Sequence, residues 1–264
     1  MKWPRELTLV RHDTSEYNVL KELKNKSPEY QQFMKLYEAE PNPTQFVSAQ
    51  TRGAALCASQ AISIGVSDAA TDLAHKGANA FIVGRELQHE IELPDIIFVS
   101  PYNRTKQTLE RMIEGWPELG TVRVVEDDRI REQEHGLATL YNDMLIFWTL
   151  HPEQRAYMEL HGDMSHYWYR HMQGESVPDV RDRTRDWMAT LIRDFSGKRV
   201  LAISHHLTIL SLRANLERLS AAEFVDLDSH DKPCNVGVTH YLGNPAEGSD
   251  GHLTLDYYNK RLYK

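Results

Sequence analysis

Cysteine is scarce in this chain of 264 residues: only Cys57 and Cys234 occur, far apart and without metal-ligand spacing. That usage suits a reducing cytosol and leaves no disulfide framework or cysteine metal site to organise the fold. No apolar run approaches the ~18–20 residues that a spanning helix requires. The opening Met1-Lys2-Trp3-Pro4-Arg5-Glu6 leads into no long apolar stretch, so no signal peptide is expected. A basic excess is missing too. Thirty Lys and Arg against 38 Asp and Glu give a formal net charge of −8, which argues against a nucleic-acid partner. No internal repeat or low-complexity tract stands out. The expectation is a soluble cytoplasmic protein without a membrane partner, large enough to bury about 70–75% of its unfolded surface.

What is present alternates between two periods. Leu7-Thr8-Leu9-Val10, Asp95 to Val99, Val122 to Val125 and Val200 to Ile203 are short β-favouring runs. Val236/Val238/His240/Leu242 and Leu253/Leu255/Tyr257 alternate around a Gly-rich turn, predicting two further strands. Helical patterns run from Tyr17 to about Glu38, with Ser27 as a cap and Pro28 behind it, from about Thr51 to Ile64, and from about His75 to Glu90. Another starts near Tyr102. After Ser176, Val180, Thr184, Trp187, Met188 and Leu191 recur at helical spacing. The stretch from Gln133 to Gln154 has no Lys or Arg and reads as an apolar helix. This alternation predicts an α/β fold, a three-layer α/β/α sandwich with a mostly parallel central sheet.

In such sheets ligands bind beyond the carboxyl ends of the strands. Three predicted strand ends carry Arg11-His12, Ser100-Pro101 with Arg104 soon after, and Ser204-His205-His206. Each is weak alone, since an Arg-His pair or a His pair at a strand end is more often structural. Together they place two arginines and two histidines on one rim, a constellation suited to a phosphoryl group. Arginines grip its equatorial oxygens in bidentate fashion, and a neutral imidazole can attack phosphorus in line. A carboxylic acid on the opposite side must protonate the leaving oxygen.

The segment Leu9-Val10-Arg11-His12-Asp13-Thr14-Ser15-Glu16-Tyr17-Asn18 resembles the opening motif of the histidine phosphatase, or phosphoglycerate mutase-like, superfamily. Ser100 to Thr108 resembles its second arginine motif, and Arg129 to Gly136 its acid loop. Thr71-Asp72-Leu73 with Gly77 and Gly84 resembles the helix that follows its first loop. Gly174-Glu175-Ser176 followed by Asp179-Val180-Arg181-Asp182-Arg183, and then Ile203-Ser204-His205, complete the family's order. The resemblance implies a phosphatase in which His12 becomes phosphohistidine and Glu132 acts as proton donor. It implies that Arg11, Arg104 and His205 form the phosphate pocket, that Asn18 adds a contact, and that neither metal nor organic cofactor takes part. The implied partner is a small phosphorylated substrate: a sugar phosphate, a nucleotide or a phosphoprotein.

Three departures matter. Asp13 stands where the family usually has Gly, and is expected to serve orientation rather than catalysis. His206 also replaces a usual Gly, and is held as a backup acid behind Glu132. The chain between Asn18 and Leu73 is longer than usual. Residues 20–66 are therefore expected to form a mostly helical cap insertion in a single domain over 1–264, with Lys21, Lys24, Lys26 and Lys35 on a solvated face. The alternatives are a phosphoglycerate mutase, disfavoured by the missing basic residues after the acid loop, and a non-catalytic phosphate-binding module.

Overall fold

The computed structural model describes residues 2–44 and 46–263. The chain divides into two compact units. One comprises Met1–Ser15, Ala69–Gln133 and Asp179–Lys264; the other comprises Glu16–Asp68 and Glu134–Pro178.

The first unit is built on a six-stranded sheet. Its strands are β1 (Glu6–Arg11), β2 (Ile96–Val99), β3 (Val124–Glu126), β4 (Arg199–Ser204), β5 (Val238–Asn244) and β6 (His252–Lys260), in the order β3-β2-β4-β1-β5-β6. The pairs β1–β4, β2–β4 and β2–β3 are parallel, whereas β5 joins β1 antiparallel and carries β6 as a hairpin. The sheet is thus mostly parallel, as the β-favouring runs predict. The third strand starts two residues later than its sequence pattern indicates.

Period-2 alternation sends successive side chains to opposite faces, and each face has its own helical cover. Leu7, Leu9, Ile96, Phe98, Val200 and Ala202 pack with Trp187, Met188 and Leu191 of α9 (Val177–Asp194) and with Ile209, Leu212 and Leu216 of α10 (His206–Leu216). Val10, Ile97, Val99, Leu201 and Ile203 pack instead with Ala80, Val83 and Leu87 of α4 (Ala78–Leu87) and with Leu109 and Met112 of α5 (Asn103–Gly115). The result is three layers. Each large aliphatic or aromatic side chain buried this way contributes ~1.5–3 kcal/mol of transfer free energy.

The second unit is helical. Glu16–Leu23 (α1) and Pro28–Glu38 (α2) divide the region predicted from Tyr17, separated by a single turn at Lys24–Lys26, and Ser27 caps α2 through Tyr30. Ala49–Ala61 (α3) starts behind Ser48, which caps it through Thr51. Tyr30 and Phe33 of α2 and Ala55, Ala58 and Ile62 of or beside α3 cluster with Ile146. The continuous apolar helix expected over 133–154 is not found. Asn142 takes a left-handed conformation, Asp143 caps Met144–Leu150 (α6) through Ile146, and Pro152 opens a separate helix, Pro152–Glu159 (α7). The bend at Asn142-Asp143 carries turn chemistry that the apolar pattern masks. Lys24 also departs from the solvated face expected for it. It forms an ion pair with the buried Asp143, which Tyr30 also contacts at 3.2 Å, while Lys21, Lys26 and Lys35 are exposed. No described helix is long and apolar enough to cross a membrane.

Candidate active site

Register places the site. Arg11 pairs with Ser204 and Val99 with Ile203, so the carboxyl ends of β1, β4 and β2 stand side by side. The residues that follow them, His12, His205 and Ser100, come off adjacent strands. The two imidazole rings lie 5.2 Å apart, and both are almost fully buried.

His12 is held by its backbone on both sides. Its N–H donates to the Ser204 carbonyl at 2.9 Å, and its carbonyl accepts from Asn235 Nδ2 at 3.0 Å. Its Nδ1 lies 2.6 Å from the carbonyl oxygen of Asp13. A carbonyl only accepts, so Nδ1 carries the proton and Nε2 of the neutral ring keeps its lone pair. The ring is neutral because burial, then the charges of Arg104 and Arg11, push its pKa well below the usual histidine range. Burial, Arg104 and His12 do the same to His205. His205 Nε2 lies 2.7 Å from Ser100 Oγ, while its Nδ1 is buried without a hydrogen-bond partner.

Two guanidinium groups flank these rings. Arg104, near the start of α5, is buried and lies over the Tyr102 ring at 4.8 Å; the same ring meets His205 edge-on at 5.0 Å. Arg11 Nη1 donates to the Pro233 carbonyl at 2.7 Å, and its Nε is buried without a partner. Burial lowers the Arg11 pKa, an effect that the Glu132 carboxylate opposes.

Glu132 sits on a short irregular loop after β3. Its Oε1 accepts from the backbone N–H of Gln133 at 3.0 Å and of Leu207 at 3.2 Å. Leu207 belongs to the first turn of α10, whose N-cap, His205, gives no side-chain bond, so the carboxylate meets an otherwise uncapped helix start. Ser204 Oγ donates to the Ile130 carbonyl at 2.8 Å, and Thr208 Oγ1 donates to that of Arg131.

Asp13 is buried, and its carboxylate is occupied away from the rings. Oδ2 accepts from the Ala80 N–H at 2.8 Å in the first turn of α4, and Oδ1 accepts from the Thr14 N–H at 2.7 Å. Its own N–H donates to Thr108 Oγ1 at 2.9 Å. His206, expected from the sequence as a backup acid, faces Asp228 on α11 (Ala221–His230), with 2.7 Å between Nε2 and Oδ1.

The first unit therefore brings together Arg11, His12, Arg104, Glu132 and His205 from four separated segments. Asn18 lies on α1 of the second unit. Sequence reasoning missed Asn235, Pro233 and Tyr102. Asn235 reaches the His12 carbonyl with its side-chain amide and Pro233 offers its carbonyl to Arg11, both across more than 220 residues of chain, which leaves no local signal. Among the described residues no cluster of three or more His, Cys, Asp or Glu side chains is arranged to hold a metal ion.

Comparison with known proteins converges on one family. The sequence profile of the histidine phosphatase superfamily (branch 1) matches residues 67–246, taking in Arg104, Glu132 and His205 but starting after β1. Phosphoglycerate mutase-like protein AT74H of Arabidopsis thaliana is 28% identical over 142 residues, covering 50% of this chain and 47% of that protein. The chain thus spans about half the length of the curated relatives it matches. Among solved structures, a mycobacterial glucosyl-3-phosphoglycerate phosphatase in complex with inorganic phosphate superposes with a TM-score of 0.61 at 18% identity, covering 98% of both chains. A phosphoserine phosphatase mutant from Entamoeba histolytica, in complex with phosphoserine, gives 0.59 at 15% identity, covering 97% of both chains. These two likenesses carry the fold; the profile, matching more than half of the chain, carries the family. On that match, the chain belongs to the histidine phosphatase superfamily.

Proposed function

We propose that this protein hydrolyses phosphomonoesters through a phosphohistidine on His12. The observation that carries the reading is the state of that ring. It is buried, neutral, and fixed through Nδ1 so that Nε2 holds the lone pair, beside two guanidinium groups and a second neutral imidazole. Arg11 and Arg104 would grip the phosphoryl oxygens, with His205 beside them, and the unpartnered Arg11 Nε and His205 Nδ1 are further donors in reach of that role. His12 Nε2 attacks phosphorus as the ester oxygen leaves with a proton from Glu132. Since Glu132 Oε1 already accepts two N–H groups, Oε2 is the oxygen that carries this proton. The resulting carboxylate then takes a proton from water, which attacks the phosphohistidine, releases inorganic phosphate and regenerates neutral His12.

The assignment of Asn18 as a further phosphate contact rests on the opening motif alone. Residues 20–66 are read as an insertion in a single phosphatase domain. The substrate class is a small phosphorylated molecule, and the two free cysteines fit a cytosolic setting.

The test is phosphate release from an aryl phosphate without added metal. Release by the wild type and its loss in His12→Ala are expected, with Glu132→Gln slower by on the order of 10²–10⁴ on an alkyl phosphate. Undiminished release by His12→Ala would overturn the nucleophile. A wild type that interconverts phosphoglycerates without net phosphate release would establish the mutase reading instead.

A further inference from the structure

We propose that Arg183, on the inner side of α9, is a positioning residue for the general acid, an inference that rests on the phosphatase reading above. Its guanidinium meets three backbone carbonyls of one loop. Nη1 donates to the carbonyls of Arg129 and Arg131, both at 2.8 Å, and Nη2 donates to that of Glu132 at 3.0 Å. A planar fork with fixed donor directions can satisfy such an array, whereas a lysine ammonium supplies one compact charge at the end of a flexible stem. The loop has little regular structure of its own. A single 3-10 turn spans Asp128–Ile130, and the next residues lead directly into Glu132.

Several other bonds confine the loop, and one of them shares the Arg131 carbonyl with the fork. Ser204 and Thr208 each hold one carbonyl, those of Ile130 and Arg131. Arg129 is tied outward to Asp127 and Asp186, which anchors the loop's start on α9 rather than its acid. Of the side-chain contacts described here, the Arg183 fork is the one that reaches the Glu132 carbonyl. It thereby fixes the backbone from which the Glu132 side chain extends toward Leu207. Nothing in this role requires Arg183 to touch substrate.

Proton donation matters most when the leaving group is a poor one, so leaving-group dependence separates this role from a general loss of structure. Arg183→Met and Arg183→Lys are compared with the wild type on an alkyl phosphate and on p-nitrophenyl phosphate, whose leaving phenolate needs little protonation. On the alkyl ester, Arg183→Met is expected to lose on the order of 10-fold to 10²-fold in kcat with KM little changed. On the aryl ester the loss is several-fold smaller, and Arg183→Lys falls between. In the Glu132→Gln background, Arg183→Met should add almost nothing on the alkyl ester, because the group it positions is gone. Equal losses on both esters, or full additivity with Glu132→Gln, would overturn the proposal.

Amide hydrogen exchange gives a reading independent of turnover. In both Arg183 variants the amides of residues 131–133 and of Leu207 should exchange faster, while those of β1 and β4 keep wild-type protection. Unchanged exchange at 131–133 would overturn the clamp even if activity fell. A wild type inactive on both esters would overturn the phosphatase reading, and exchange alone would still decide whether Arg183 holds the loop.

Discussion

Asp13 performs three bonding tasks at once at the turn beside His12. Its carbonyl fixes the His12 tautomer, its N–H anchors to Thr108, and its carboxylate accepts the Ala80 N–H at the start of α4. The carbonyl and N–H belong to any residue, but the carboxylate depends on aspartate standing where the resemblance leads one to expect Gly. A carboxylate at a helix start satisfies an orphan donor and meets the positive end of the helix. Asp13→Gly and Asp13→Ala should therefore lower stability by about 0.5–2 kcal/mol, the usual range for a lost N-terminal cap. Asp13→Asn should lose less, because an amide oxygen can still accept. Urea unfolding midpoints check this, and an unchanged midpoint in Asp13→Ala would show that the cap contributes nothing. The sequence shows the carboxylate in its unusual place and predicts orientation rather than catalysis. Its partner could not be read, because Ala80 lies 67 residues further on and donates with its backbone.

Between elements, α4 and α5 meet where glycine lets backbone touch backbone. A Cβ on Gly84 would fall 2.2 Å from the Met112 carbonyl oxygen, and one on Gly115 the same distance from that of Phe81. Helix propensity favours Gly84→Ala by up to ~1 kcal/mol, but the clash is with main chain on both sides and cannot relax by a rotamer change. Overpacking of this kind costs about 1–3 kcal/mol or more, so the clash wins. Gly53 on α3 is the control, because a Cβ there meets nothing within 4 Å. The melting temperature should fall in Gly84→Ala and rise in Gly53→Ala; a rise in both would mean that the α4–α5 approach is soft. Gly84 was legible as part of a family motif, but its packing reason was not, since a missing side chain leaves no pattern. The strands were legible for the opposite reason. Buried runs such as Ile96–Val99, and β4 from Val200 to Ser204, alternate between two fully covered faces, so every residue in them is apolar or small. The 133–154 stretch misled because its apolar residues serve two clusters, Ile146 with α2 and α3, and Phe147 and Trp148 with Met158 and Tyr169. Such a sequence looks like one continuous helix.

Across the whole molecule, buried neutral histidines set how stability responds to acid. Burial is the first cause of the lowered pKa of His12, His205 and His240, and it lowers His171 to about 3, with His135 and His166 adding repulsion. The composition showed 13 histidines but not which of them fold away from water. The sign follows from linkage. Above the unfolded value near 6.5 both states are neutral, and these groups contribute no pH dependence. As pH falls below about 6.5 the unfolded chain binds protons that the folded chain refuses, so stability drops. Each such histidine adds a slope of up to ~1.4 kcal/mol per pH unit until its folded pKa is reached. For His171 that window runs from about 6.5 down to about 3. Carboxylates with lowered pKa, such as Asp95, steepen the loss only at lower pH, which makes pH 7 to 5 the informative range. His171→Gln removes one proton-refusing site while keeping a side chain able to bond to His135. The melting temperature of the wild type should therefore fall more steeply between pH 7 and pH 5 than that of His171→Gln. Parallel lines would mean that His171 takes up its proton in the folded state, and that the His135–His171 contact at 3.1 Å opens to admit it.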